Sequence, residues 1–306
     1  MISTSTLRYA RAGTDITLGL DEAGSGRSVV LLPALSSIST RAEMRPLLER
    51  LALHFRVRSV DWPGFGDLPR GRLDSSPLLL SEFLDCFLQN GEPPHAVVAA
   101  GHAATYALHH VVQHAGTVDR LILIAPTWRG PLPTMMGGPR AWFASVRSAF
   151  DRRGVGALLY RINVSPIVIK AMAREHVYDD PMWLTGERLA AKLAVTRAPG
   201  ARHGSVRFVT GALDRVGSRA DFLELARRAA VPLLVVYGAR TPPKSRAEIE
   251  ALAELPGVRS HCLARGKLSV HEEFPDEVAQ LVSSFIGEQE PDRSAPESCP
   301  YPPNEM

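Results

Sequence analysis

The residues that could do chemistry lie scattered along the chain. Lys267 follows Gly266. A lysine whose pKa burial has lowered can act as a base, form a Schiff base or anchor an anion. The plainer reading is a solvated loop lysine. His271, with Glu272 and Glu273, stands just before the last helical stretch and could act as a base oriented by a carboxylate. Alternatively, Glu272, Glu273 and Asp276 sit at that helix's positive N-terminus, with His271 on the surface. Ser36, Ser37, Ser39 and Thr40 could bind a polar group of a ligand, or cap the helix that starts at Arg41. Asp61 and Asp67 flank a glycine-rich turn and read as structural. His110 and His114 have the i, i+4 spacing that suits a metal, with His109 beside them. There is no HExxH pattern and no carboxylate on the same helix, so they read as a solvated helix end and no metal is expected. Trp128, Met135, Met136, Trp142, Phe143, Tyr160, Tyr178 and Trp183 could line an apolar ligand cavity or simply pack an insertion onto the core.

The elements that must position these groups alternate. Asp15 to Asp21 has the alternation of a strand, and Ser28 to Pro33 is a continuous apolar run, as in a strand buried on both faces. Arg41 to Leu51 has helical spacing behind a Thr40 N-cap. Arg56 to Val60, Ala96 to Ala100 and Arg120 to Ala125 read as strands, with helices over Leu78 to Leu88 and Thr105 to His114 between them. The pattern breaks at Pro126 and resumes with a strand over Pro232 to Tyr237, a helix over Ser245 to Leu255, a strand over Val258 to Leu263 and a helix over Pro275 to Phe285. The expected fold is α/β: a mostly parallel sheet with helices on both faces. The expected organisation is a core over 1–126 and 231–286, a helical cap over 127–230, and a disordered tail over 287–306, rich in Pro, Glu and Ser.

The chain has 306 residues, 45% hydrophobic and 22% charged, which excludes a disordered chain, a collagen and a coiled coil. No apolar run reaches the roughly 18 residues a membrane span needs. The net charge of +3 is spread along the chain, so no nucleic-acid partner is expected. Met1 to Arg11 is Ser/Thr-rich without an apolar core and does not read as a secretory signal. Cys86, Cys262 and Cys299 lack metal spacing and read as reduced thiols of a cytoplasmic protein without cofactor.

The order of elements resembles the α/β-hydrolase superfamily, in the form that carries a helical cap between its sixth and seventh strands. The resemblance spans Ser28 to Ile286. It rests on the turn Asp61-Trp62-Pro63-Gly64-Phe65-Gly66, on VVAAGHAAT (Val97 to Thr105) at the nucleophile elbow, on VPLLVVYGART and on EEFPDEVAQLVSSFI. The resemblance places Ala103 where the family has its nucleophilic serine. It places Thr241 where the acid stands, and Lys267 or Leu268 where the base stands. Pro33-Ala34-Leu35-Ser36 replaces the His-Gly of the oxyanion loop, and Pro33 has no N–H to give. All these positions differ together, which implies the fold without Ser-His-Asp chemistry.

Two functional readings stand side by side. In one, a pocket between core and cap binds a small apolar molecule and promotes a lyase, isomerase, cyclase or hydration step. Lys267, His271 or Ser36 would help, and Ala34, Leu35, Ser36, His102, Ala103, Ala104, Trp128 and Trp183 would line the site. In the other, an inactive relative binds a ligand or a protein partner without turnover. A lesser reading is hydrolysis by an unrecognised constellation.

Overall fold

The computed structural model describes residues 1–11, 13–71, 73, 75–152 and 154–288. Cys299 and the tail expected over 289–306 lie outside the described residues. Eight strands form one sheet: β1 (Ser3–Arg11), β2 (Thr14–Ala23), β3 (Ser28–Leu32), β4 (Arg56–Val60), β5 (Ala96–Ala100), β6 (Arg120–Ile124), β7 (Leu233–Gly238) and β8 (Val258–Leu263). Their order is β1-β2-β4-β3-β5-β6-β7-β8. β2 pairs antiparallel with β1 and β4, and every other pairing is parallel.

The apolar runs of β3, β5, β6 and β7 are buried along their whole length. Side chains alternate across a strand, so each run feeds two layers. Val30, Leu32, Val97, Ala99, Leu121 and Leu123 enter one core cluster. That cluster is covered by α2 (Pro77–Gln89), α3 (Ala103–Gln113), α10 (Arg219–Arg228) and α11 (Pro243–Ala253). Val29, Leu31, Val98, Ile122 and Ile124 enter the other, covered by α1 (Arg45–Leu51) and α13 (Pro275–Gly287). Fully burying one such side chain is worth about 1.5–3 kcal/mol, so these two layers hold the sheet. The helix expected from Arg41 begins as a 3₁₀ turn, Arg41–Met44, and Thr40 Oγ1 accepts the Ala42 N–H at 3.1 Å.

The sequence reading had no strand over Met1 to Arg11, and the structure corrects this. β1 is an edge strand exposed along most of its length, so it shows no apolar run. Its anchor is Tyr9, which packs edge-on against Phe83 at 5.3 Å.

Between β6 and β7 lie α4 (Pro131–Met136), α5 (Phe143–Asp151), α6 (Val155–Asn163), α7 (Pro166–Met172), a turn over Ala173–Val177, α8 (Gly186–Arg197), α9 (Ala201–Val209) and α10. Tyr160, Ile169, Tyr178, Leu184 and Leu193 give this insertion a small core of its own. Phe222 and Leu225 of α10 instead join the first sheet cluster. The short helix α12 (Val270–Glu273) precedes α13. Among the described residues no single helix is long and apolar enough to cross a membrane.

Candidate active site

A cavity of about 110 Å³ lies at the C-terminal ends of β3, β5 and β6, where open parallel sheets hold their ligands. The loop after β3 lines it with Ala34, Leu35 and Ser36. Gly101 and His102 line it after β5, and Tyr178 and Lys192 reach it from the insertion. Leu268, His271 and Glu272 close it from the segment before α13. Two wider hollows, edged by Arg120, Pro232 and Glu288, open at the opposite ends of the strands.

A cluster of ionisable groups is buried against this cavity. Glu43, from the 3₁₀ turn, accepts the Ala34 N–H at 2.7 Å. Lys192 Nζ, on α8, lies 3.0 Å from Glu272 Oε2 and 3.7 Å from Glu43 Oε2. Tyr178 donates its hydroxyl to Glu272 Oε1 at 2.8 Å. Burial opposes the charge on both Lys192 and Glu43, yet their mutual attraction, with Glu272 and His271 adjoining, prevails. The lysine is held above its usual range and Glu43 below. Burial and the neighbouring Glu272 push the Tyr178 hydroxyl well up.

His271 completes the cluster. It is 1% exposed, its Nε2 lies 3.7 Å from Glu43 Oε1, and neither ring nitrogen has a hydrogen-bond partner. A separation of 3.7 Å gives electrostatic contact and not a hydrogen bond. Buried polar atoms without partners are uncommon and call for a reason. The reading that put His271 on the surface is therefore corrected.

The sharp turn between β5 and α3 lies at Gly101. Its φ is +52°, a region glycine enters without penalty. A Cβ placed there would lie 3.2 Å from the Ala34 Cβ and 3.9 Å from Thr127 Oγ1, both on the cavity wall. Ala103, expected at this place, is instead fully buried in the first sheet cluster, as is Ala104. Both sit within the first turn of α3, and neither lines the cavity. His102 does line it, but its Nε2 donates to the Leu213 carbonyl at 3.1 Å. Burial lowers its pKa to about 4, so it stays neutral.

Other expected residues fall away from the cavity. Lys267 does not line it, and its Nζ donates to the Arg174 carbonyl. Thr241 is buried behind, its hydroxyl donating to the Lys267 carbonyl at 3.4 Å. Trp128 donates to Glu248 at 3.0 Å, and Trp183 stacks behind Tyr178 at 4.0 Å without facing the cavity. Ser36 lines the cavity, with its hydroxyl held by Ser39 at 2.8 Å and by the Ile38 N–H at 3.2 Å. Leu268 offers the cavity only an aliphatic chain.

The sequence reading missed Glu43, Lys192 and Tyr178 as one group. One signal was available: only four lysines occur in the chain, against a much larger number of arginines.

The sheet order, the turn at Gly101 and the cavity above it are those of an α/β hydrolase. The pattern of the alpha/beta hydrolase family matches residues 29–281, and the chain belongs to that family. It is 26% identical over 285 residues to the pimeloyl-[acyl-carrier protein] methyl ester esterase of Aeromonas salmonicida (strain A449), covering 89% of this chain and 100% of that one. Among solved structures it resembles a bromoperoxidase from Bacillus anthracis (TM-score 0.68, 15% identity, 93% of this chain and 100% of the other). It also resembles the enol-lactonase from Burkholderia xenovorans LB400 (TM-score 0.66, 18% identity, 92% and 100%).

Proposed function

We propose that the protein binds a small, largely apolar carbonyl compound between sheet and insertion and moves a proton on it, without serine chemistry. The observation that carries this reading is His271: buried, unpartnered at both nitrogens, on the cavity wall and beside Glu43. With a neutral imidazole, Glu43, Glu272 and Lys192 sum to one negative charge, so a proton on His271 balances the group. In the proposed step the C–H bond next to the carbonyl breaks and its proton passes to a His271 nitrogen. The electron pair moves to the carbonyl oxygen as an enolate. Return of the proton elsewhere gives an isomerisation; loss of a leaving group gives a lyase reaction. The positive N-terminus of α3, opening at His102, steadies the developing oxyanion.

Loss of the serine triad is part of the proposal. Gly101 has no side chain at the turn, Leu268 cannot take a proton, and Thr241 has no carboxylate. The family's elbow frames its nucleophile with a small residue two places before and two after; here Ala99 and Ala103 frame Gly101.

The test is deuterium uptake. In D2O, with a panel of small ketones and enol lactones, NMR should show exchange next to the carbonyl of at least one compound. His271→Asn should slow it by about a hundredfold or more. Unchanged exchange in that variant would sink the assignment.

Binding without turnover is the second reading. It is favoured by the cavity's size, about 110 Å³ under the Lys192 ion pairs, against roughly 300–1,000 Å³ for ordinary ligand sites. It predicts thermal shifts with these compounds and no exchange. Hydrolysis is the third, supported by the esterase relatives; it predicts labelling of a cavity serine by a fluorophosphonate, which the main reading forbids. The proposed setting is the cytoplasm.

A further inference from the structure

The insertion turns part of its apolar surface outward. Val155, Leu158, Leu159 and Ile162 recur at i, i+3, i+4 and i+7, the spacing of one face of α6. A surface helix normally buries such a stripe against the core. Here the buried side is the opposite one, with Gly156 and Tyr160, while Val155, Leu158 and Ile162 are 59%, 62% and 60% exposed. α7 follows two residues later, with the axis bent by 48° at the break. Ile167, Lys170 and Ala171 repeat the i, i+3, i+4 spacing on its exposed face, and Arg174 is exposed one turn on.

The charge on this face has one sign. From Arg152 to Arg174 the sequence holds no acidic residue. Arg152, Arg161, Lys170 and Arg174 are exposed, and none of them has an acidic partner among the described residues. Elsewhere on the surface Arg50, Arg56, Arg240 and Arg265 each hold a carboxylate. The acids that flank the face are engaged in other ways. Asp151 is held by His203 and Arg207, Glu175 adjoins His176, and Asp180 accepts the Met182 N–H at 2.8 Å.

We infer that α6 and α7 seat the protein on an anionic phospholipid surface, the α6 stripe entering the edge of the acyl layer and the cations meeting the phosphates. An exposed aliphatic stripe among unpaired cations is complementary to a layer that is oily within and negative at its face. A second copy would set the same cations against one another, which opposes self-association through this face. At about 1.5 Å per residue the nine residues of α6 fall far short of the roughly 30 Å hydrocarbon core, so the helix lies in the surface and does not cross it. A hollow of about 280 Å³ opens beside α7, walled by Lys170, Ala171, Arg174 and the 67% exposed Met182. Tyr178 borders both this hollow and the active-site cavity. An apolar ligand drawn from the bilayer would reach the cavity past that ring; this route rests on the ligand reading above, whereas the docking does not.

The experiment is co-sedimentation of the full chain with vesicles of phosphatidylcholine, alone or with about 30% phosphatidylglycerol. Binding to the mixed vesicles is expected, weaker by at least about tenfold on phosphatidylcholine alone or at raised salt. Leu158→Glu and Ile162→Glu, at exposed positions, should leave the unfolding curve unchanged and weaken binding at least about tenfold. The double variant Arg161→Glu, Lys170→Glu should do the same. Leu53→Glu, at a 77% exposed position after α1, should bind as the parent does. No binding to the mixed vesicles, equal binding to both kinds, or undiminished binding in Ile162→Glu would overturn the inference. A lipid-free dimer that Ile162→Glu dissociates would overturn it in favour of a second copy. Binding of soluble polyglutamate without binding of vesicles would overturn it in favour of an acidic protein.

Discussion

Arg41 and Glu43 lie two residues apart in one 3₁₀ turn, and each is the hub of a buried charge cluster. The Arg41 cluster is complete. Its guanidinium reaches Asp21 at 3.2 Å, Asp67 at 2.6 Å and also Asp61, while Arg45 holds the far side of Asp21 at 2.7 Å. The Arg41 N–H takes the remaining oxygen of Asp61 at 2.7 Å. Gly66 closes over it, since a Cβ there would lie 2.6 Å from the Asp61 carboxyl. The Glu43 cluster is incomplete: it ends at His271, a residue of the cavity wall whose nitrogens have no hydrogen-bond partner. Burying charge is therefore no sign of function by itself. A network with every partner in place rigidifies a turn, and one left open on a cavity is available to a ligand.

The comparison is most easily broken at its closed end. Arg41→Leu strands the buried Asp61 without its counter-charge, leaves Asp21 to Arg45 alone, and should cost about 3–5 kcal/mol in denaturant unfolding. A loss below about 1 kcal/mol would mean that the cluster is not the keystone of its turn. Lys192→Met removes the cation from the open cluster, which borders a cavity instead of close-packed protein, so a smaller loss of about 1–3 kcal/mol is expected. Its pH dependence is the sharper readout. Glu43 has its folded pKa below the ordinary 4.5. The stability it contributes is thus full above about 4.5 and is lost as pH falls through the folded value. Unfolding curves of the parent should show that acid-side loss, and those of Lys192→Met should show less of it. The smallest effect runs the other way. His271→Leu removes two unpaired nitrogens and should raise stability by up to about 1 kcal/mol while abolishing proton exchange. Destabilisation in that variant would mean that His271 is a structural partner of Glu43.

The sheet was legible because β3, β5, β6 and β7 are buried on both faces and so appear as unbroken apolar runs. β1 was not, because an edge strand needs only an occasional anchor such as Tyr9. The elbow was found but misplaced by two residues. The Gly101-His102 pair matched the letters of the family motif, whereas the turn obeys backbone geometry and puts its positive φ at the glycine. His271 was legible from its neighbours. Glu43 and Lys192 were not, since nothing local marks two ordinary helix residues that meet only when the insertion folds back over the sheet.

The closeness of Gly101 and Ala34 also makes substitutions at the two positions interdependent. A side chain placed at position 101 would bring its Cβ to 3.2 Å from the Ala34 Cβ, closer than Cβ atoms usually approach. Ala34, or the loop that carries it, must then give by a few tenths of an ångström. The two positions share one space on the cavity wall, so the size of the residue at either one sets what the other can hold.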